Sequence, residues 1–309
     1  GRDEFILEAC EYNRSFLHFY PTVAVILNID EDHLDFYKDI HEIEDTFAKF
    51  LGQIVPGGMA VLCGDDVRAL SMKQRISVRS VTYGLDNPDC DYTAKDITHD
   101  DAMCFSFTPV EHGVELPRVT LRVPGRHNAL NALGVTAAAR ELGLTGEEIA
   151  RGLDAFAGAH RRFELTATIE GVKLYHDYGH NPAEFHSVIP LADAVAGDHR
   201  LFVVCQPHTY SRTKLLFDQY MTCFTGADEV LITDIYAARE KDPGDIHATM
   251  LVDALQKHGV PAVYTPDFDA CENYLRTHWQ PGDVMISLGC GNINLLNEQI
   301  ARHEAEKTN

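Results

Sequence analysis

The strongest constraint on this chain is a rhythm: short apolar runs, each followed by a stretch whose apolar residues recur with helical spacing. Residues 23–27 and 59–63 are such runs, the first continuous enough to predict a strand buried on both faces. Between them, apolar residues at 40, 43, 47, 50, 51 and 54 mark 39–55 as an amphipathic helix, stopped by Pro56-Gly57-Gly58. Phe5-Ile6-Leu7 reads as a shorter strand ahead of these. From about Arg161 the same alternation returns, with strands expected at 172–176, 201–205, 229–233, 261–264 and 283–288. Helices are expected near 183–195, 212–224, 246–258, 268–277 and 292–305. Parallel strands need crossovers of this length, so the fold class is α/β, its second part a small doubly wound domain.

A chain of 309 residues is about twice the usual single-domain length, which predicts two domains, 1–160 and 161–309. The boundary rests on the change of rhythm and the Gly158-Ala159-His160 turn. Within the first domain, 77–123 breaks into short strands separated by turn residues such as Asn87-Pro88-Asp89, an antiparallel insertion beside a parallel sheet. An Ala- and Leu-rich helix should follow at 127–142, and Thr145 with Glu148 should cap another.

Lys and Arg total 26 against 47 Asp and Glu, a net charge of −21. So acidic a surface repels nucleic-acid phosphates and anionic lipid, and the basic residues are scattered without a patch, so neither partner is expected. No apolar run approaches membrane-spanning length, and Gly1-Arg2-Asp3-Glu4 lacks the apolar core of a secretion signal. Eight cysteines without a CxxC pair, several in apolar runs, read as reduced thiols of a cytoplasmic protein.

Polar clusters fall just past the carboxyl ends of expected strands, where open α/β sheets bind ligands. Glu8-Ala9-Cys10-Glu11 follows the first strand, and residues 28–35, with His33, follow the second. Carboxylates and an imidazole on neighbouring strand ends suit a hard divalent cation that also holds phosphate; solvated acidic turns are the plainer alternative. His176 and His180 are four apart, but Gly179 and Pro182 argue against the helix a zinc site would need. Arg212, in a strand end running into a helix, could clamp a carboxylate or simply form a surface ion pair. His127 and Asn131 on one helical face could read a purine edge, with Asn128 as an ordinary N-cap the alternative. The Gly289-Cys290-Gly291-Asn292 turn reads as glycine needed for close packing.

Taken in order, EACEYNRSFL (8–17), NIDEDHLD (28–35), GRHNALNA (125–132), HRRFE (160–164), HDYGHNPAE (176–184) and QPHTYSRT (206–213) resemble the Mur ligases of peptidoglycan synthesis. DYGHNP with QPHTYSRT is most similar to the branch that joins L-alanine to UDP-N-acetylmuramate. The resemblance implies a P-loop-type central ATPase domain followed by a Rossmann-like amino-acid domain. It implies ATP-dependent amide synthesis through an acyl phosphate, in the cytoplasm, with Mg2+. By resemblance, Glu8 and His33 match metal ligands, and His127, Asn128 and Asn131 match the adenine-binding segment. Arg162 and Asp177 match nucleotide contacts from the second domain, and Tyr178, His180, His208 and Arg212 match the region that receives the amino acid. His180, Arg212 and Asp177 are the expected catalytic set, with His180 a candidate to accept the amine's proton and Arg212 the carboxylate clamp.

Four departures qualify the match. No Gly-Lys pair of a P-loop occurs, and the family's UDP-sugar domain has no counterpart here. Asn181 and Thr209 stand where many relatives have His and Arg. The place of the carbamylated lysine used by other branches falls near Phe47. These features lead us to expect a piece of a longer ligase that is not competent by itself. The alternatives are a murein tripeptide recycling ligase and a non-catalytic nucleotide-binding homologue without a P-loop.

Overall fold

The computed structural model describes residues 5–31 and 36–308. The chain divides into two compact units, one of Gly1–Asp100 with Cys104–Ala157, the other of Asp101–Met103 with Gly158–Asn309.

The first unit contains β1 (Val23–Ile26), α1 (Ile40–Leu51), β2 (Met59–Cys63), α2 (Val67–Ser71) and β3 (Arg79–Tyr83). It continues with β4 (Tyr92–His99), β5 (Cys104–Glu111), β6 (Val114–Glu115), β7 (Val119–Pro124), α3 (Arg126–Glu141) and α4 (Gly146–Ala155). One sheet runs β1-β2-β3-β4-β5-β6, with β7 on β5. β1, β2 and β3 are parallel, whereas β4 to β7 pair antiparallel. The expected antiparallel insertion is present beside the parallel strands and joins them through Tyr83 and Tyr92.

Asp39 caps α1 by accepting the Glu42 amide at 3.0 Å, and its apolar side, Ile43, Phe50 and Leu51, is buried. Phe16 stacks on Phe50 with ring centroids 4.6 Å apart and meets Phe47 edge-on at 5.2 Å, so Phe47 is a packing residue. Gly125, at φ +102°, turns the chain into α3. The capping box of Thr145 and Glu148 forms as expected. Two expectations are corrected here. Residues 5–7 form no strand, and Phe5 and Ile6 are 88% and 95% exposed, because no described strand pairs with them. β1 is not buried on both faces: it ends the sheet order, and Val25 is exposed while Ala24 and Ile26 are buried.

The second unit contains β8 (Glu164–Ile169), β9 (Val172–Asp177), α5 (Pro182–Ala196), β10 (Leu201–Cys205), α6 (Tyr210–Leu215) and α7 (Tyr220–Cys223). It ends with β11 (Glu229–Ile232), α8 (Ala248–Lys257), β12 (Ala262–Tyr264), α9 (Phe268–His278), β13 (Val284–Leu288) and α10 (Asn294–Thr308). The sheet order is β12-β11-β10-β13-β9-β8, parallel throughout except for β8.

Side chains alternate across β10: Val203 and Cys205 join Phe185, Tyr220 and Leu251 in one core, while Phe202 and Val204 join Leu275 and Leu296 in the other. Helices α5, α7 and α8 therefore cover one face, and α9 and α10 the other. The connections leaving β9 and β10 go to the first face, and the one leaving β13, between them, goes to the second. A crevice at the carboxyl ends of these three strands is the consequence. The expected single helix at 212–224 is broken: after α6 the chain bends at Leu216 through a 3-10 turn, Phe217–Gln219, so that Tyr220 and Phe224 turn inward. β8 was not foreseen; it is a half-exposed antiparallel edge strand.

Candidate functional site

The end of β9 is built around two buried side chains. His176, 1% exposed, is bonded at both ring nitrogens: Nδ1 lies 2.9 Å from Ser287 Oγ, and Nε2 accepts from Arg161 Nε at 3.0 Å. Burial, then the Arg161 charge, pushes this imidazole below its ordinary value, so it is a neutral strut with its proton on Nδ1. With both nitrogens used and His180 on a non-helical loop, the pair does not form a zinc site. Asp177 follows, its Oδ2 accepting the Phe163 amide at 2.8 Å and its Oδ1 the Gly179 amide at 2.7 Å. Asp177, read from sequence as catalytic and as a nucleotide contact, has both oxygens bonded to backbone amides that hold the β9 end and the turn before β8.

Beyond Asp177 the side chains turn outward. Tyr178 lies under two guanidiniums, Arg161 at 4.7 Å and Arg162 at 5.8 Å from its ring centroid. Arg162, read from sequence with the nucleotide, and Tyr178, read with the amino acid, therefore share one surface. Glu184 receives the amides of His180 at 2.7 Å and Asn181 at 3.1 Å, and Asn181 caps α5 in a capping box. Asn in place of a histidine here serves the helix start. The His180 ring meets Tyr178 at 5.7 Å and His208 at 5.8 Å, both edge-on.

The β10 and β13 ends are tied by two bonds between Gln206 and Asn292, Nε2 to Oδ1 at 2.9 Å and the returning amide to Oε1 at 3.1 Å. A Cβ at Gly291 would come within 2.4 Å of Gln206 Oε1, so glycine is required there by space. His208 follows, its Nδ1 buried without a hydrogen-bond partner. Burial, with the Arg212 and His180 charges next, lowers its pKa from the ordinary value. Arg212 has no carboxylate partner among the described residues. α6 is only six residues long, so the guanidinium itself, not the helix end, is the cation on offer. An arginine whose charge acts on the His208 imidazole, which in turn meets the His180 ring, can hold a small molecule's carboxylate at the end of a parallel sheet while an imidazole nitrogen accepts a hydrogen bond from its amine.

Sequence reasoning missed Arg161 and Tyr236. Arg161 reaches the carbonyls of Gly289 and Gly291 at 3.2 and 3.0 Å. These partners lie more than a hundred residues away in the chain, and no local signal marks them.

In the first unit, His127 is exposed on the opening turn of α3, and Asn131 is half-buried one turn on. Asn128 is not the N-cap, a position held by Gly125; its Nδ2 donates to the Pro124 carbonyl at 2.7 Å. Glu8 is exposed on a segment without secondary structure, so its reading as a strand-end ligand is not met. His33 lies outside the described residues. Among the described residues no group of three or more His, Cys, Asp or Glu converges on a metal position. No described helix is long and apolar enough to cross a membrane.

Residues 1–139 match the Mur ligase middle domain, and 161–291 match the Mur ligase glutamate ligase domain. The chain belongs to the Mur ligase family. Two curated relatives, both UDP-N-acetylmuramate–L-alanine ligases, are 40% identical over 299 residues (Acetivibrio thermocellus) and 41% identical over 300 residues (Caldanaerobacter subterraneus). These alignments cover 96% and 97% of this Mur ligase chain but 63% and 65% of the relatives, so it spans a little under two thirds of their length. Among solved structures, the UDP-N-acetylmuramate–alanine ligase MurC of Thermotoga maritima superposes with a TM-score of 0.76 at 23% identity, over 95% of this chain and 62% of that one. A murein peptide ligase from Psychrobacter arcticus gives 0.62 at 20%, covering 93% and 58%. MurF of Thermotoga maritima, solved in complex with ADP, gives 0.68 at 18%, covering 94% and 63%. These likenesses establish the fold: a Mur ligase central domain of mixed sheet and a Rossmann-like second domain.

Proposed function

We propose that this chain serves the ATP-dependent joining of L-alanine to UDP-N-acetylmuramate in peptidoglycan synthesis. The observation that carries the reading is the Arg212 guanidinium acting on the His208 imidazole, which meets His180 edge-on, at the β9–β13–β10 strand ends. The names of the relatives at 40% and 41% identity support it. In this reaction a carboxylate oxygen of the muramate attacks the γ-phosphorus of ATP, and ADP leaves. The alanine amine then attacks the acyl carbon, the C–O bond to phosphate breaks, and phosphate departs. Little covalent work falls to the protein; its part is to hold and orient charged groups.

Arg212 holds the alanine carboxylate, Tyr178 and His208 line the same pocket, and His180 receives the amine's proton. Asp177 holds the strand end from which Tyr178 and His180 project. Arg162 in the second unit is assigned to the nucleotide, and in the first unit His127, Asn128 and Asn131 are assigned to the adenine-binding segment. Glu8 and His33 are assigned to Mg2+, which would neutralise phosphate charge when bound. The test is phosphate release by the natural protein carrying this chain, with ATP, Mg2+ and UDP-N-acetylmuramate present. Dependence on L-alanine supports the proposal. Turnover with a murein tripeptide in preference to alanine would reassign the acceptor, and turnover with neither would overturn the reading.

A further inference from the structure

Tyr236, beyond the end of β11, forms an isolated parallel bridge with His208. Its amide donates to the Pro207 carbonyl at 2.8 Å, and its carbonyl accepts from the Thr209 amide at 2.9 Å. One residue thus holds both chain neighbours of His208. The two rings stack 20° from parallel with centroids 5.8 Å apart. Tyr236 also rests against Gly291, where a Cβ would come within 2.8 Å of the ring Cγ. The ends of β10, β11 and β13 therefore meet at one aromatic side chain.

Thr209 explains why such a clamp is needed. Its backbone, at φ 59° and ψ 147°, is in a strained region that L-residues rarely adopt. Such a conformation persists only where the surroundings dictate it, and the bond to Tyr236 does so directly. The same residue launches α6: Thr209 Oγ1 accepts the Arg212 amide at 3.4 Å, and the Thr209 carbonyl accepts the Thr213 amide at 3.1 Å. The aim of His208 and the start of the turn carrying Arg212 therefore depend on one strained residue.

We propose that Tyr236 is a positioning residue for the acceptor amino acid, clamping His208 and, through Thr209, Arg212 in the arrangement that receives it. This rests on the acceptor site proposed above. Tyr236 acts on Thr209 through its backbone, which any residue keeps, and on His208 through its ring face, so phenylalanine should serve in its place and alanine, which loses the ring, should not.

Two measurements test this. The first follows the His208 imidazole by NMR titration in the 309-residue chain. Burial is the main cause of its lowered pKa, with Arg212 and His180 acting in the same direction and Glu240 against them. Tyr236→Ala uncovers the ring and should raise that pKa toward its ordinary value, while Tyr236→Phe should leave it in place. The second is steady-state kinetics of the natural protein, where Tyr236→Ala should raise the KM for L-alanine roughly tenfold without moving the KM for ATP. Tyr236→Phe should restore both, and Tyr236→Leu carries the same test if the alanine variant does not fold. His208→Ala is measured alongside. If it leaves the alanine KM untouched, the acceptor site is misassigned. If it raises that KM while Tyr236→Ala matches the wild type, the positioning role of Tyr236 is overturned.

Discussion

Arg161 donates from Nε to Nε2 of His176 at 3.0 Å while its Nη2 reaches the carbonyls of Gly289 and Gly291. One guanidinium thus joins β9 to the glycine turn after β13. Arg161→Met should leave an imidazole nitrogen and two carbonyls without donors, costing about 1–3 kcal/mol. Thermal unfolding of the variant measures this. Arg161→Lys should recover only part, because a point charge cannot serve three acceptors as the planar fork does. A melting temperature unchanged in Arg161→Met would show that the fork contributes nothing to the fold.

His176 gives the second unit an acid-sensitive strut. Its pKa is lowered in the folded chain, so below the ordinary value of 6.5 the unfolded chain binds the extra proton and the folded one resists it. Stability should be full above that value and fall as pH drops below it. His208 acts with the same sign, so the comparison needed is wild type against His176→Asn, which retains an amide donor toward Ser287 but does not titrate. Urea unfolding midpoints at pH 7.5 and 5.5 should lie closer together for the variant than for the wild type. Parallel pH dependence in the two proteins would rule out His176 as the source.

For Arg212, the expected result is selective. Arg212→Ala in the natural protein should raise the KM for L-alanine roughly 10–100-fold, the scale of a charged hydrogen bond of about 1.5–3 kcal/mol. The KM for ATP should hardly move. Loss of ATP binding with an unchanged alanine KM would place Arg212 in the nucleotide site.

Gly291→Ala tests the turn beneath Tyr236. The added methyl would lie 2.4 Å from Gln206 Oε1 and 2.8 Å from the Tyr236 ring, so both must shift. Overpacking of this kind costs about 1–3 kcal/mol, and the displaced ring should weaken alanine use in the same direction as Tyr236→Ala. A variant with wild-type stability would mean that the turn has more slack than its spacing shows.

Where sequence reading succeeded, the signal was local. Asp39 at the head of α1, the Thr145–Glu148 box, and the apolar runs of β2 and β10 carry their structure in adjacent residues. Phe5-Ile6-Leu7 carried the same apolar signal, but a strand also needs a partner, and no described strand provides one. β8 carries a period-two pattern, with Leu165, Ala167 and Ile169 between Glu164, Thr166 and Thr168, so its signal was local and was overlooked. In the site, Tyr178, His180, His208 and Arg212 were legible as polar clusters past strand ends, and the fold brings them within one crevice. Tyr236 and Arg161 were not, since their partners are brought near only by the sheet order.

That order also bears on how the second unit is made. The ribosome delivers β9 and β10 early and β13 near the end, yet β13 pairs with both and separates them. Until residue 288 has emerged, the growing sheet is two pieces with an open slot at its centre, lined by unpaired amides and apolar side chains. Pairings over such sequence distances are slow, which makes the nascent unit a natural client for chaperones. A stop codon after α9 would leave two sheet fragments with no strand to join them, not a shortened domain.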